Sequence, residues 1–228
     1  MKKLIIITGT SRGLGKALVD LTLIDEETKI ISLSRSLHDD HKGINSDKLL
    51  LIKTDLSEPF SMGIIDALKK EIRQNSIIYF FNNAGIILPI NKISNFSVSE
   101  IGLSINTNIN YPVNLINQLL YNFLDNKIVL VNITSGAGNN SIPYWSLYCS
   151  AKAYLKMFFK VLEEENLNND NLEIFSIDPG VLDTKMQEDI RKTHFPEQKY
   201  FNSLKSENKL VKAEDAANKM LTEINFYS

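Results

Sequence analysis

The sequence predicts an α/β protein, a doubly wound parallel sheet covered by helices on both faces in three layers. Three observations lead there. Six short runs rich in β-branched and aromatic residues recur along the chain, and such runs suit strands buried on both faces. Longer stretches of helical period separate them, the order that a parallel sheet with crossover helices requires. The 228 residues, 43% hydrophobic and 23% charged, suit one domain with a core of its own.

The predicted strands occupy residues 4–8, 29–34, 49–54, 77–81, 127–133 and 172–177. Helical patterns fall at 14–24, 60–72, 98–124, 147–167 and 213–224, the last opening on Glu214 and Asp215, which suit the positive end of a helix dipole. Residues 37–47 carry Asp, His, Lys and Asn and read as a solvated connection. Another polar stretch, centred on 191–208, is too short for its own core. It is read as part of an excursion, 183–210, that covers the ligand site within the single domain 1–228.

Bulk properties narrow the function. A formal net charge of −2 advertises neither a nucleic-acid nor an acidic-membrane partner. The opening MKKLIIITGT reads as a first strand and not an export signal, because Gly9 ends the apolar run. No stretch approaches the ~20 apolar residues of a membrane span. Cys149, the one cysteine, cannot form an internal disulfide and fits a reducing, cytoplasmic setting. His38, His41 and His194 have no partners at metal-ligand spacing.

The first strand runs into Gly9-Thr10-Ser11-Arg12-Gly13-Leu14-Gly15, after which a helix begins. Glycines here let the backbone approach a pyrophosphate, and the helix start offers free N–H groups and a positive dipole end. The spacing is G-x-x-x-G-x-G and not G-x-G-x-x-G, so a plain strand-to-helix turn stays open as the alternative. At the end of the second strand stand Ser34 and Arg35, with no carboxylate before Asp39. Arginine in that place accommodates a 2′-phosphate, whereas a carboxylate would bind a ribose hydroxyl. Arg12 and Arg35 together argue for NADPH over NADH.

Tyr148 and Lys152 lie four apart at the start of a predicted helix, hence on one face. A neighbouring ammonium favours the phenolate and is expected to bring the tyrosine toward the working range for proton transfer. Ser135 follows the fifth strand, whose carboxyl end meets the ligand crevice; its hydroxyl can hold a substrate carbonyl or simply serve the turn. Trp145, Tyr144, Met186 and Phe195 can wall a pocket for an aromatic substrate or pack a core. Asp183 can bind a polar substrate group or cap the next helix, and Cys149 reads as a small buried side chain.

These motifs together resemble the short-chain dehydrogenase/reductase family over essentially the full length. The matching stretches are TGTSRGLG at 8–15, Asp55-Leu56, NNAG at 82–85, Asn108 in INTNINYPVN, the Ser135/Tyr148/Lys152 set, and Pro179-Gly180-Val181 with Thr184. VNITSGAG, YWSLYCSAKAYLKMF and PGVLDTKMQ are similar to stretches of benzil reductases that form (S)-benzoin and of sepiapterin reductases. The resemblance implies a Rossmann-type fold and NADPH-dependent reduction of a small-molecule carbonyl to a secondary alcohol. It implies Ser135, Tyr148, Lys152 and Asn108 as the catalytic set, with Asn108 anchoring a water in the proton relay. It places the cofactor against Gly9, Ser11, Arg12, Gly13, Leu14, Gly15, Ser34, Arg35, Asp55, Leu56, Asn83, Ala84, Gly85, Tyr148, Lys152, Pro179, Gly180, Val181 and Thr184, and the substrate against Ser135, Trp145, Tyr148 and Met186. A short tail after Glu223, where many members carry a seventh strand, puts a tetramer in doubt and leaves a homodimer or a monomer. Two other functions stay open: a regulator that binds NADPH without turnover, which the complete catalytic set opposes, and an NAD-dependent alcohol dehydrogenase, which Ser34-Arg35 opposes.

Overall fold

The computed structural model describes residues 2–227. Its six parallel strands are β1 (Lys3–Thr8), β2 (Thr28–Ser34), β3 (Leu49–Lys53), β4 (Ile77–Asn82), β5 (Lys127–Ile133) and β6 (Leu172–Ile177), in the order β3-β2-β1-β4-β5-β6. Neighbouring strands start in step, with Lys3 opposite Thr28 and Ile77, and Ile128 opposite Leu172. All carboxyl ends therefore emerge along one edge. The order reverses between β1 and β4, and a crevice opens there.

Alternation along the strands builds two cores. Ile5, Ile7, Ile30, Tyr79, Phe81, Val129 and Val131 face α1 (Gly13–Thr22) and α8 (Ala213–Glu223). Leu4, Ile6, Ile31, Leu33, Ile78, Phe80, Ile128 and Leu130 face the opposite helices: α2 (Gly63–Glu71), α4 (Tyr111–Asn122) and α5 (Ser146–Glu165). A period of two requires this division, and burial on both faces explains why the strands read as unbroken apolar runs. Ile224 and Phe226 follow α8 into the first core, and the Lys3 ammonium donates to the Phe226 carbonyl at 2.6 Å.

Three regions differ from the sequence reading. The helix expected over 98–124 is divided: α3 (Val98–Ile105) passes through one π-helical turn, Asn106–Asn110, into α4. Such turns accommodate one extra residue and re-aim side chains. The connection 37–47 is not wholly solvated. His41 is 2% exposed, with its Nε2 2.6 Å from the Asp20 carboxylate of α1, so it pins the loop to the helix. The late polar stretch folds into α6 (Lys185–Lys192) and α7 (Gln198–Ser206), which bury Ile190, Phe195, Phe201 and Leu204 in a third cluster with Trp145 and Tyr148. The base of this excursion is fastened by a single parallel bridge between Leu182 and Val211. No helix among the described residues is long and apolar enough to cross a membrane.

Candidate active site

A cleft of about 570 Å³ lies at the carboxyl ends of the strands, within the range of small-molecule sites. All the predicted cofactor and substrate residues border it, as do Ser135, Tyr148 and Lys152. Asn108 lies behind the wall.

At one end the glycine turn passes beneath the start of α1. A β-carbon on Gly15 would stand 2.1 Å from the Gly9 carbonyl oxygen and 2.6 Å from the Asn83 amide nitrogen. That amide donates to the carbonyls of Thr8 (2.7 Å) and Gly9 (3.0 Å). The Thr8 hydroxyl in turn accepts from the N–H groups of Asn83 and Ala84. β1 and the residues after β4 thus hold the turn from below. Arg12 occupies the cap position of α1 without a side-chain cap bond, and the first turn carries no acid. The free N–H groups and the positive dipole end remain for an anion, so cradle and donors fit a dinucleotide pyrophosphate.

Farther along, Ser34 lines the cleft but commits its hydroxyl proton to the Ser36 carbonyl at 2.9 Å, and it sits in a chain with Ser32 and Thr10. Arg35 is solvent-facing, 4.0 Å from Asp55. Asp55 is held below the usual carboxylate range, first by hydrogen bonds from Ser57 and less by Arg35. The guanidinium borders the cleft and stays largely in solvent.

At the other end, α5 presents Tyr148 and Lys152 on adjoining turns. Tyr148 is 8% exposed, and the Ser135 hydroxyl, which accepts the Ala137 N–H at 3.2 Å, favours its ionised form. The Lys152 ammonium donates to the Ile133 carbonyl at 2.8 Å and lies 5.8 Å from the Tyr148 ring centre. Burial governs both groups: it pushes the phenol up to about 12, against the pull of Ser135, and brings the ammonium down to about 8. The tyrosine thus lies above its ordinary value and not below it as expected, because desolvation of a phenolate outweighs the pull of Ser135. Tyr148 is held as the proton-bearing phenol.

Asn108 is 4% exposed. Its amide oxygen accepts from Ile86 N–H at 2.9 Å, and its amide nitrogen donates to the Ile86 carbonyl at 2.9 Å. The side chain is spent clamping the cleft wall, so any water it anchors must be held through the main chain of the π-helical turn. Asp183 neither caps α6, whose cap position is Thr184, nor points free; it pairs with Lys205 at 2.5 Å.

Beside Tyr148 the cleft is aromatic. Trp145 stacks on Phe201 with ring centres 5.0 Å apart and lies 5.8 Å from Phe195, while Met186 and Ile190 complete the wall. Phe201, Tyr200 and Ile190 escaped the sequence reading because their apolar spacing is broken between α6 and α7. Asp178, also on the cleft, was passed over although it directly precedes Pro179-Gly180.

The profile of the family described as short chain dehydrogenase matches residues 3–194. The chain belongs to that family. Similar proteins include benzil reductase ((S)-benzoin forming) of Bacillus subtilis (strain 168), 34% identical over 194 residues that cover 83% of this chain and 78% of that one. Sepiapterin reductase of Xenopus laevis is 29% identical over 239 aligned positions, covering 96% and 89%. The crystal structure of the KRED1-Pglu enzyme superposes with a TM-score of 0.85 at 27% identity, covering 97% of this chain and 94% of that one. As a member of this short chain dehydrogenase family, the protein is an oxidoreductase that uses a nicotinamide cofactor.

Proposed function

We propose that this short chain dehydrogenase reduces one carbonyl of a small molecule, a vicinal diketone or a similar α-oxygenated ketone with an aryl group, using NADPH. One observation carries the reading: a buried phenol lines the same cleft as Ser135 and an uncapped glycine-rich helix start. Gly9, Ser11, Arg12, Gly13, Leu14 and Gly15 would hold the pyrophosphate, Arg12 and Arg35 the 2′-phosphate. Ser34, Asp55 and Leu56 would hold the adenosine side, and Asn83, Ala84, Gly85, Pro179, Gly180, Val181, Thr184 and Lys152 the nicotinamide half. When bound, the reduced nicotinamide supplies a hydride to the carbonyl carbon.

The chain's own residues do the rest. Ser135 and Tyr148 hold the carbonyl oxygen, and Tyr148 gives it a proton as negative charge develops there. Lys152 stabilises the phenolate left behind, and Asn108 positions the wall through Ile86. General acid catalysis of this kind contributes about 10²–10⁴-fold, with fixed placement of the reactants contributing the remainder. Trp145, Met186 and the excursion 183–210 would cover the substrate's aryl group and exclude water. Similarity to a benzil reductase at 34% identity and to a sepiapterin reductase at 29% supports a substrate with adjoining oxygen functions.

The test follows loss of NADPH and NADH absorbance with benzil, 1-phenyl-1,2-propanedione and sepiapterin. Tyr148→Phe is expected to lower kcat at least about 100-fold while NADPH affinity stays within a few-fold. A variant that keeps its rate sinks the assignment.

A further inference from the structure

Asp178 stands at the first position beyond β6. Ile177 pairs with Ile133, so Asp178 lies beside the end of β5, next to the carbonyl that receives the Lys152 ammonium at 2.8 Å. Its Oδ1 accepts the Gly180 N–H at 2.9 Å, which fixes the side chain's direction as in an Asx turn. Its Oδ2 takes no hydrogen bond and no ion pair among the described residues. That oxygen lies 3.9 Å from where a β-carbon on Gly136 would be, on the wall of the cleft that Tyr148 and Lys152 share.

The other groups packed around Lys152 carry no charge to balance it. Its own helix offers the Tyr148 phenol, with the ring centre 5.8 Å away. β5 offers the neutral Ile133 carbonyl, and the turn Ser135–Gly138 offers only hydroxyl and backbone. Among the described residues Asp178 is the single charged group that acts on the lysine.

We propose that Asp178 is a positioning residue for proton transfer, its carboxylate being the fixed negative charge that keeps Lys152 an ammonium beside Tyr148. This rests on the reading of Tyr148 and Lys152 as the proton-transfer pair. Burial alone draws Lys152 toward its neutral form, and Asp178 pulls the other way. The same carboxylate opposes ionisation of Tyr148. One charge therefore loads both protons before reduction begins: it favours the ammonium and it favours the phenol. A carboxylate on the same cleft wall, not in direct ion pair with the lysine, does this without drawing it away from the Ile133 carbonyl.

The experiment is a pH titration of the full chain labelled with [6-¹³C]lysine, read by NMR, with Lys152→Arg identifying the resonance. Asp178→Asn keeps an oxygen for the Gly180 N–H and removes only the charge. Lys152 is expected to titrate about one pH unit lower in Asp178→Asn, a roughly tenfold change in its protonated fraction above the midpoint. Asp178→Glu, which restores the charge, is expected to titrate as the native chain does. The alkaline limb of kcat/KM for NADPH-dependent diketone reduction should move down by the same amount in Asp178→Asn. An unchanged Lys152 titration in Asp178→Asn, with an unchanged thermal midpoint, overturns the proposal. Because the NMR readout needs no turnover, a native chain that reduces none of the diketones refutes the reductase reading separately, while a moved titration still supports the charge assignment.

Discussion

Replacing Gly15 with alanine sets two opposing effects against each other. Gly15 lies inside α1, and alanine is favoured over glycine in a helix interior by about 1 kcal/mol. The added carbon, however, would sit 2.1 Å from the Gly9 oxygen and 2.9 Å from the Gly9 carbonyl carbon. Real β-carbons keep 3.0 Å or more, so α1 and the turn must separate by about 0.9 Å (3.0 − 2.1). The obstacle is backbone, which cannot swing aside as a flexible side chain would. The Asn83 amide, 2.6 Å from the same point, must also move, and its bond to the Gly9 carbonyl at 3.0 Å goes with it. Overpacking of this kind costs about 1–3 kcal/mol, and a lost buried hydrogen bond about 1 kcal/mol more. The net expectation is destabilisation of about 1–3 kcal/mol, together with a rise in the NADPH dissociation constant of at least about tenfold, since the anion cradle is what moves. Urea unfolding gives the first quantity and quenching of protein fluorescence by NADPH the second. If Gly15→Ala melts at or above the native midpoint and binds NADPH equally well, the close-approach reasoning is refuted.

The pH dependence of reduction follows from Lys152 and Tyr148. The lysine, brought down to about 8 by burial, loses its proton first, whereas the phenol, pushed up to about 12, stays protonated. The rate should therefore hold at neutral pH and fall as pH rises through about 8, and a kcat/KM profile flat to pH 10 contradicts it. Arg35→Asp is expected to raise KM for NADPH about tenfold, a modest figure because the guanidinium is exposed to screening solvent, and to leave NADH little affected; equal effects on both remove Arg35 from phosphate recognition. Phe201→Ala takes away the ring stacked on Trp145 and should cost about 3 kcal/mol of stability. It should also raise KM for aryl diketones far more than for 2,3-butanedione, and a parallel loss for both would make Phe201 a packing residue only.

The strands were legible to within a residue at most ends, because a strand buried on two faces must be apolar at every position. β5 and β6 begin and end at the predicted residues. The convergence of Gly9 and Ser135 on one cleft was foreseeable too, because both follow strand ends closely and the parallel topology delivers those ends to one edge. What escaped depends on contacts between distant segments. His41 reads as polar, and its burial follows from Asp20, 21 residues earlier. Asn108 gave no sign that both faces of its amide would be used by Ile86. α6 and α7 each carry few apolar residues, and those converge on Trp145 only after the chain turns at Thr193–Pro196. Asp178 is an ordinary carboxylate until the sheet sets it beside Ile133 and Lys152.

The bridge between Leu182 and Val211 has an architectural consequence. Chain departs and returns at the same spot, tied by the Asp183 N–H to Val211 carbonyl bond at 2.8 Å and the Val211 N–H to Val181 carbonyl bond at 2.9 Å. What lies between is closed off at its base, so changes of length there need not shift the register of β6, although Phe195 and Phe201 still pack on Trp145. Closure at the base thus separates the wall that shapes the pocket from the sheet that carries Ser135, while the aromatic contacts keep the two in register.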